Sequence, residues 1–446
     1  MRLAGSAAAL LLSALLSGVP WGLWSVPVAA AEAAAAPRAA AALLRRAVAE
    51  ACPALDAEAL AAGLPGARLL GAEPLGPEAS PVGLRARIAL AGGGLLVLER
   101  LAPGGRLRRF SASWEEPAGG GTRPRLLALA GADCRIVQGR ALEWDEVREG
   151  GEGEAPGGPD RLVLLGADLE SRGAVEPLDP PVPAGRDPGG VLVAQVDAGV
   201  AYDLPAIAGR LARDGAGRAL GYDFWDLDPR PYDGNPAGSP FFPARHGTEV
   251  ASLLLAEAPT ARLLPYRYPR PDMERMAQVV EAAAEAGARI VALPMGSNSR
   301  ALWEAFLAAA GAHPEILFVV SAGNDGRDID ARPVWPAAAA LANLLTVTSS
   351  EPDGRLAPGS NWGAAAVDLL VPAERQEVFD YRGRPHLASG SSFAVPRVAA
   401  LAARLLAANP GWRAPELKRA ILALAEPPPQ PGLVGAGWIR DPLAAP

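Results

Sequence analysis

Apolar and polar positions follow two different patterns along this chain, and the pattern changes near residue 190. Residues 38–51 are strong helix formers with helical apolar spacing, and the stretches after them alternate apolar with polar residues between glycine-rich breaks. Such a pattern is typical of a helix followed by an antiparallel meander, here with arginines on one face. We predict meander strands at 82–91, 94–102, 105–114, 125–131 and 134–144.

After Gly190, short runs of apolar and β-branched residues alternate with helical stretches. Strands that are apolar throughout and separated by helices indicate a parallel sheet covered on both faces. The sequence therefore predicts an α/β fold with a mostly parallel sheet flanked by helices, preceded by a smaller α+β domain. We predict sheet strands at 191–196, 262–268, 289–295, 316–322, 344–349 and 367–373.

Length and composition favour two domains. A chain of 446 residues exceeds what one hydrophobic core usually organises. Gly/Pro-rich stretches at 147–160 and 175–190 are typical of linkers. We therefore predict an N-terminal domain at 37–150, a linker region at 151–189 and a second domain at 190–446.

The N-terminus has the features of a secretory signal. Arg2 precedes the apolar stretch 7–16, and small residues follow up to a predicted cleavage site near Ala30, Ala31 or Ala33. We predict a signal peptide at 1–31 and export to the periplasm or the medium; a retained membrane anchor is the alternative. No later stretch is long and apolar enough to span a bilayer without charge or proline, so no stable membrane insertion is expected after cleavage.

Charge and cysteine content exclude several classes of partner and cofactor. The net charge of −7 and the lack of any Lys/Arg block longer than a pair argue against a nucleic-acid partner. The two cysteines, Cys52 and Cys134, fit one disulfide in an exported chain. Neither belongs to a CxxC pair and no HExxH occurs, so no zinc or redox site is expected.

Four polar residues stand where a parallel sheet collects its chemistry, at strand ends and helix starts. Asp197 and Asn324 each follow a predicted strand, and His246 and Ser392 each open a predicted helix. Singly, each has an ordinary explanation as a turn or capping residue. Their order along the chain and the sequence around them are more specific.

The four segments read VDAGV, HGTEVASLL, SAGNDG and GSSFAVPRVAALAA, in that order. They resemble the motifs of the subtilisin-like serine proteases, the subtilases, and the resemblance covers roughly residues 190–426. The segments ARIVALPMGS and GSNWGAAAVDLLVPA extend it. The resemblance implies a subtilisin-like catalytic domain at 190–446 and a serine endopeptidase that acts on protein or peptide substrates.

The resemblance also implies a role for each residue. Ser392 would be the nucleophile and His246 its general base. Asp197 would orient His246, while the Asn324 amide and the Ser392 backbone N–H would donate to the oxyanion. Two segments would form the walls of the primary side-chain pocket, and neither contains an acidic residue, which favours an apolar or aromatic substrate side chain. These pocket residues are Met295, Gly296, Ser297, Ser321, Ala322 and Gly323.

The other histidines exclude a competing triad. His313 and His386 both precede Ser392, so the α/β-hydrolase order of Ser, Asp and His cannot use this serine. No cofactor is expected. The acid-rich stretch 324–330 lacks the EF-hand spacing, and calcium is considered only because many subtilases bind it.

Several residues depart from the usual subtilase pattern. Ala198, Arg245 and Phe393 each neighbour a predicted catalytic residue and replace the family's usual Ser or Thr, Gly and Met. Glu249 lies inside the histidine motif, and Pro294 removes a backbone donor from the strand expected to pair with substrate. These differences favour narrow or slow proteolysis. The second hypothesis is a catalytically silent subtilase fold that serves as an exported binding protein.

The N-terminal domain has two explanations. Exported subtilases commonly carry such a domain as a folding aid and inhibitor that is later removed, which the resemblance implies here. A tethered inhibitor gains a high effective concentration at the cleft. The alternative is an accessory module that stays attached, and the sequence leaves both open.

Overall fold

The structure is a computed structural model, and it describes residues 28–76, 80–144 and 158–444. The predicted signal peptide lies outside the described residues, apart from its last four positions. Most of the Gly/Pro-rich stretch 147–160 lies outside them as well.

An antiparallel sheet of eight strands, each paired with the next along the chain, forms the N-terminal domain. Helices α1 (Val28–Ala51) and α2 (Ala57–Ala62) pack on one face of this sheet. The five predicted meander strands are confirmed as β2 to β6. The strands are β1 (Arg68–Leu75), β2 (Gly83–Ala89), β3 (Leu95–Leu101), β4 (Arg109–Ala118), β5 (Gly121–Ala130), β6 (Ile136–Glu143), β7 (Arg161–Leu165) and β8 (Arg172–Pro177).

Alternation along the strands separates the two faces of this sheet. In β2, Ile88 is fully buried in the same cluster as Leu44 of α1, whereas Arg85 and Arg87 line a groove on the opposite face. This agrees with the period of two in a strand. Arg100 differs from the prediction that the arginines share a face, because it donates to the Cys52 and Pro53 carbonyls on the helix side.

Two strands lie inside the region predicted as a linker, residues 151–189. Strand β7 pairs with β6, and β8 pairs with β7, so the N-terminal sheet ends at Pro177 rather than at 150. The short apolar run of β7 was hidden by the Gly/Pro-rich composition on both sides. Beyond Pro177 the chain is also held, since Asp187 accepts hydrogen bonds from Arg213 N and Arg262 Nη1.

The predicted disulfide is present and lies within the N-terminal domain. Cys52 follows the end of α1, Cys134 lies in the turn between β5 and β6, and their Cα atoms are 5.7 Å apart. The bond therefore ties the covering helix to the sheet.

A parallel sheet forms the centre of the second domain, with strand order β10-β11-β9-β12-β13-β14-β15-β18. Strands such as β13 are buried at every position, as expected where helices cover both faces. All six predicted strands are confirmed, as β9 and β11 to β15. The sheet contains β9 (Val191–Asp197), β10 (Tyr222–Asp223), β11 (Ala261–Arg267), β12 (Ile290–Leu293), β13 (Leu317–Ser321), β14 (Leu344–Ser350), β15 (Leu369–Pro372) and β18 (Gly437–Trp438), and β16 (Gln376–Phe379) with β17 (Pro385–Ala388) forms a separate hairpin.

Helices pack on both faces of the parallel sheet and give the predicted α/β architecture. Helices α4 and α7 share one apolar cluster with the sheet, and α5 and α6 share the other. Among the described residues, α7 alone is long and apolar enough to cross a membrane, but 78% of it is buried inside the protein. The helices are α3 (Pro205–Ala208), α4 (Gly247–Glu257), α5 (Met276–Glu285), α6 (Glu304–Ala312), α7 (Ser391–Ala408) and α8 (Ala414–Leu422).

Candidate active site

Asp197 and His246 are in direct contact at the carboxyl edge of the parallel sheet. Asp197 ends β9 and His246 immediately precedes α4. Nδ1 of His246 lies 2.8 Å from Oδ1 and 2.9 Å from Oδ2 of Asp197. The Asp197 side chain is only 6% exposed, whereas the His246 side chain is 34% exposed. The imidazole is thus fixed through Nδ1, and Nε2 makes no hydrogen bond to any described residue.

Gly247 allows this contact, because it lets the start of α4 approach β9 closely. A Cβ atom at Gly247 would lie 2.0 Å from the Gly199 carbonyl oxygen and 3.0 Å from Cβ of Asp197. No side chain fits there, so glycine is required immediately after His246.

A buried aspartate that the sequence analysis missed fixes the backbone of His246. Oδ1 of Asp233 accepts from His246 N at 3.1 Å, and Oδ2 accepts from Thr248 N and Oγ1 at 2.9 and 2.6 Å. Asp233 has no solvent exposure, and this burial raises its pKa. Its sequence context, Asp-Gly in a polar loop, reads as an ordinary turn.

The surrounding carboxylates make His246 more basic than usual. Burial lowers the pKa of the imidazole, but the charge and hydrogen bond of Asp197, with the charges of Asp233 and Glu249, outweigh this effect. Together they raise the pKa of His246 from the usual 6.5 to about 9. The neutral form that can accept a proton therefore dominates only under alkaline conditions.

Ser392 lies in the first turn of α7, where backbone N–H groups have no partner within the helix. Its Oγ donates to the Pro294 carbonyl oxygen at 3.3 Å, and no hydrogen bond joins Ser392 to His246 in this structure. The neighbouring Phe393 ring lies beside the imidazole, with ring centroids 6.0 Å apart. The positive end of the helix dipole favours developing negative charge at this position.

Asn324 contacts the start of the same helix. Its Oδ1 accepts from the backbone N and from Oγ of Ser391, each at 2.9 Å. Gly390 has φ +125°, and a Cβ there would lie 3.3 Å from Asn324 Oδ1, so this close approach requires glycine. Because Oδ1 is engaged, the amide nitrogen of the exposed Asn324 is left to donate elsewhere.

The predicted pocket walls are each tied to the site. Ser321 Oγ lies 2.7 Å from Ser391 Oγ and accepts from Gly323 N at 3.2 Å. In the other wall, Ser297 exchanges two backbone hydrogen bonds of 2.8 Å with Trp335. Gly296 lies beside Val334, whose Cγ1 would be 3.1 Å from a Cβ atom at the glycine. Val334 and Trp335 thus form part of this wall. Their only signal in the sequence is that they are apolar residues within a loop.

Two of the departures from the subtilase pattern contact the β16–β17 hairpin. Glu249 Oε1 lies 3.2 Å from Nε2 of His386, which is in β17. The Arg245 guanidinium carbon lies 4.4 Å from the ring centroid of Tyr381, in the turn of the hairpin. His313 lies away from these contacts and pairs with Glu281 and Glu315, in keeping with a surface role.

The carboxylates of the acid-rich stretch 324–330 make contacts within the protein. Asp325 pairs with Arg327 at 3.4 Å, and Asp328 accepts from a backbone N–H within its own turn. Asp330 accepts from the backbone N–H groups of residues 365 and 366. No group of three or more His, Cys, Asp or Glu residues in the described part of the chain could hold a metal ion.

Comparisons with known proteins identify the family to which this chain belongs. The sequence profile of the Subtilase family matches residues 189–437. Halolysin of Haloferax mediterranei is 28% identical over 233 residues, which are 49% of this chain and 42% of halolysin. Subtilisin BL of Lederbergia lenta is 26% identical over 234 residues, which are 49% of this chain and 81% of that protein. A solved cold-adapted subtilisin-like serine proteinase is 24% identical, with a TM-score of 0.47 over 60% of this chain and 94% of that one. This chain belongs to the subtilase family of subtilisin-like serine proteases.

Proposed function

We propose that this protein is an exported serine endopeptidase that cleaves protein or peptide substrates with Asp197, His246 and Ser392. The observation that carries the proposal is the contact of the buried Asp197 carboxylate with Nδ1 of His246, next to the N-terminus of α7. A buried carboxylate at Nδ1 fixes the tautomer in which Nε2 can accept a proton.

In the proposed reaction, the Ser392 hydroxyl leaves the Pro294 carbonyl and donates to Nε2 of His246. As Oγ attacks the scissile carbonyl carbon, its proton moves to Nε2, and Asp197 stabilises the imidazolium. His246 then gives this proton to the leaving amine as the C–N bond breaks. Water, deprotonated by His246, hydrolyses the acyl-enzyme and restores Ser392.

The negative charge of the tetrahedral intermediate is assigned to two donors. The Asn324 amide nitrogen is oriented because Ser391 engages the amide oxygen. The Ser392 backbone N–H is in the first turn of α7, where it has no helical partner. Donors fixed in advance stabilise an oxyanion without having to reorganise during the reaction.

The substrate side chain is assigned to the space between the two pocket walls. Met295, Val334 and Trp335 supply apolar surface to one wall, and the other ends at Gly323. This composition supports a preference for apolar or aromatic side chains. Export is supported by the signal-like N-terminus together with the disulfide, since disulfides persist in oxidising compartments.

Labelling with a fluorophosphonate, which reacts with activated serines, tests the proposal. We expect wild type to be labelled at Ser392 and to cleave a peptide. The Ser392→Ala chain should do neither, with a nearly unchanged thermal midpoint, because one hydroxyl contributes little to packing. Ser389→Ala is the matched control, since Ser389 accepts only from Arg375 N near the site. A wild type that is neither labelled nor active would reject the proposal and leave the silent binding protein.

A further inference from the structure

The loop that leads to His246 has a fixed base in the catalytic domain. Asn235 and Ala244 exchange two backbone hydrogen bonds of 2.8 and 2.9 Å, and Arg245 and His246 follow directly. Asp233, just before the loop, accepts from His246 N. The base of the loop thus joins the His246 backbone directly.

One residue near the tip of this loop, Phe241, is buried against the N-terminal domain. Arg140 of β6 donates from Nη1 to the Phe241 carbonyl oxygen at 2.8 Å, and its guanidinium carbon lies 4.0 Å from the ring centroid of Phe242. Burial of a phenylalanine and a hydrogen bond from a charged donor both favour this contact. Phe241 is 3% exposed and packs against three leucines of β5, β6 and β7, which are Leu127, Leu142 and Leu162.

A second contact joins the N-terminal domain to the β16–β17 hairpin. Glu176 of β8, which is 8% exposed, accepts from Tyr381 Oη at 2.8 Å and from Arg382 Nη2. The same Tyr381 ring stacks on Arg245, the residue directly before His246. The two terminal nitrogens of Arg245 are buried and have no hydrogen-bond partner among the described residues, so aromatic stacking and the charge of the buried Asp233 hold this guanidinium.

We propose that the N-terminal domain is a lasting part of the enzyme and positions His246 through two contacts, the Phe241 contact and the Glu176–Tyr381 contact. The inference rests on the proposed proteolytic function. The proposal favours a retained accessory module over a removable inhibitor. Both contacts lead to the segments next to His246 rather than to Ser392 or the pocket walls. None of the described residues of the N-terminal domain makes a hydrogen bond or ion pair with Ser392 or the pocket walls.

Active-site-titrated kinetics of the full-length protein test this role. We expect Glu176→Ala to lower kcat and the rate of fluorophosphonate labelling roughly tenfold, with KM for a short peptide changed less than about twofold, because misplacing a catalytic group affects mainly the chemical step. Glu176→Gln keeps an acceptor for Tyr381 and should restore most of kcat. Glu170→Ala is the matched control, since it removes a Glu–Arg pair with Arg45 inside the same domain.

Variants of Tyr381 separate its two interactions. Tyr381→Phe keeps the ring that stacks on Arg245 and loses only the hydrogen bond to Glu176, so we expect a smaller loss of kcat than in Tyr381→Ala. Phe241→Leu, which retains an apolar side chain and folding, should fall between wild type and Phe241→Ala. These comparisons stay informative where a larger truncation unfolds the domain.

Three results would overturn the inference. In the first, wild type is labelled at Ser392, and both Glu176→Ala and Phe241→Leu keep the kcat and labelling rate of wild type. This result rejects the positioning role but not the proposed function. In the second, purified enzyme that has lost the residues before 178 keeps full kcat. Intact mass and gel filtration must show that the lost fragment is no longer bound. The third is a wild type that is not labelled at all, which rejects the proposed function first.

Discussion

The two sheets of this protein each have eight strands but bury them in different ways. The N-terminal sheet pairs chain neighbours and has one face with charged side chains, whereas the central strands of the parallel sheet are buried on both faces. The candidate site lies entirely in the second domain and joins residues far apart in the chain, such as Asp197 with His246, 49 residues on, and Asn324 with Ser391, 67 residues on. Pairing between chain neighbours thus forms the N-terminal sheet, whereas contacts between residues far apart in the chain bring the candidate site residues together.

Loss of the buried carboxylate should have the largest effect, confined to catalysis. We expect Asp197→Asn to lower kcat/KM by about 10⁴-fold, because an amide favours the wrong tautomer of His246. The thermal midpoint should change little. Asp214→Asn, which alters an exposed pair with Arg218, is the control and should retain wild-type kinetics. Equal kinetics for the two variants would contradict the assignment of Asp197.

Loss of the disulfide should lower the stability of the N-terminal domain. The bond joins residues 82 positions apart, and the chain-entropy model gives about 4 kcal/mol for a loop of that size. We expect the double variant Cys52→Ala/Cys134→Ala to lose stability in an unfolding transition of the N-terminal domain, followed by circular dichroism in urea. Two free thiols in native wild type, or a loss confined to the catalytic domain, would contradict this prediction.

Removal of the proposed oxyanion donor should reduce turnover without weakening binding. We expect Asn324→Ala to lower kcat by about 10²–10³-fold with little change in KM, because the donor acts on the intermediate rather than on the substrate. Asn409→Ala is a matched control at the other end of α7, where the side chain bonds only Leu405 O. A change in KM alone would place Asn324 in substrate binding instead.

A change of pH should alter kcat/KM more gradually than these substitutions do. The carboxylates of Asp197, Asp233 and Glu249 raise the pKa of His246 to about 9, so protonated imidazole, which cannot act as a base, persists above pH 7. We expect kcat/KM to rise with pH from 6 to 9, with an apparent pKa above the usual 6.5. In Glu249→Gln the rise should move to lower pH. A flat profile from pH 5 to 9 in wild type would argue against a histidine base.

Elements with a strong local pattern could be predicted from the sequence. Strands β9 and β13 are short and mostly apolar, and β2 alternates, so their type follows from these patterns. The candidate site residues could be located because each lies within a motif whose neighbours are constrained by close contacts, as Gly247 is by Asp197. Strand β7 escaped detection because it has five residues between Gly/Pro-rich segments.

Residues whose role depends on a distant partner could not be predicted. Asp233 reads as a turn residue, yet it holds the His246 backbone because the loop returns to it 13 residues later. Phe241 stands in a loop without periodicity, and its burial depends on strands more than 75 residues earlier. Trp335 pairs with Ser297 only after the intervening helix α6 and strand β13 have packed. Tertiary contacts of this kind leave no local signal.

The order of pairing in the N-terminal sheet has a consequence for how this protein is made. Sheets built from consecutive hairpins have low contact order and form quickly, and domains form from the N-terminus during synthesis. Helix α7, in contrast, packs against β9, β12, β13 and β14, so it can settle only when those strands are complete. The strand residues that receive Phe241 all precede it in the chain, whereas Ser392 lies in a helix that needs four strands of the parallel sheet before it can pack. Folding in chain order therefore assembles the surroundings of Ser392 late, after the N-terminal sheet.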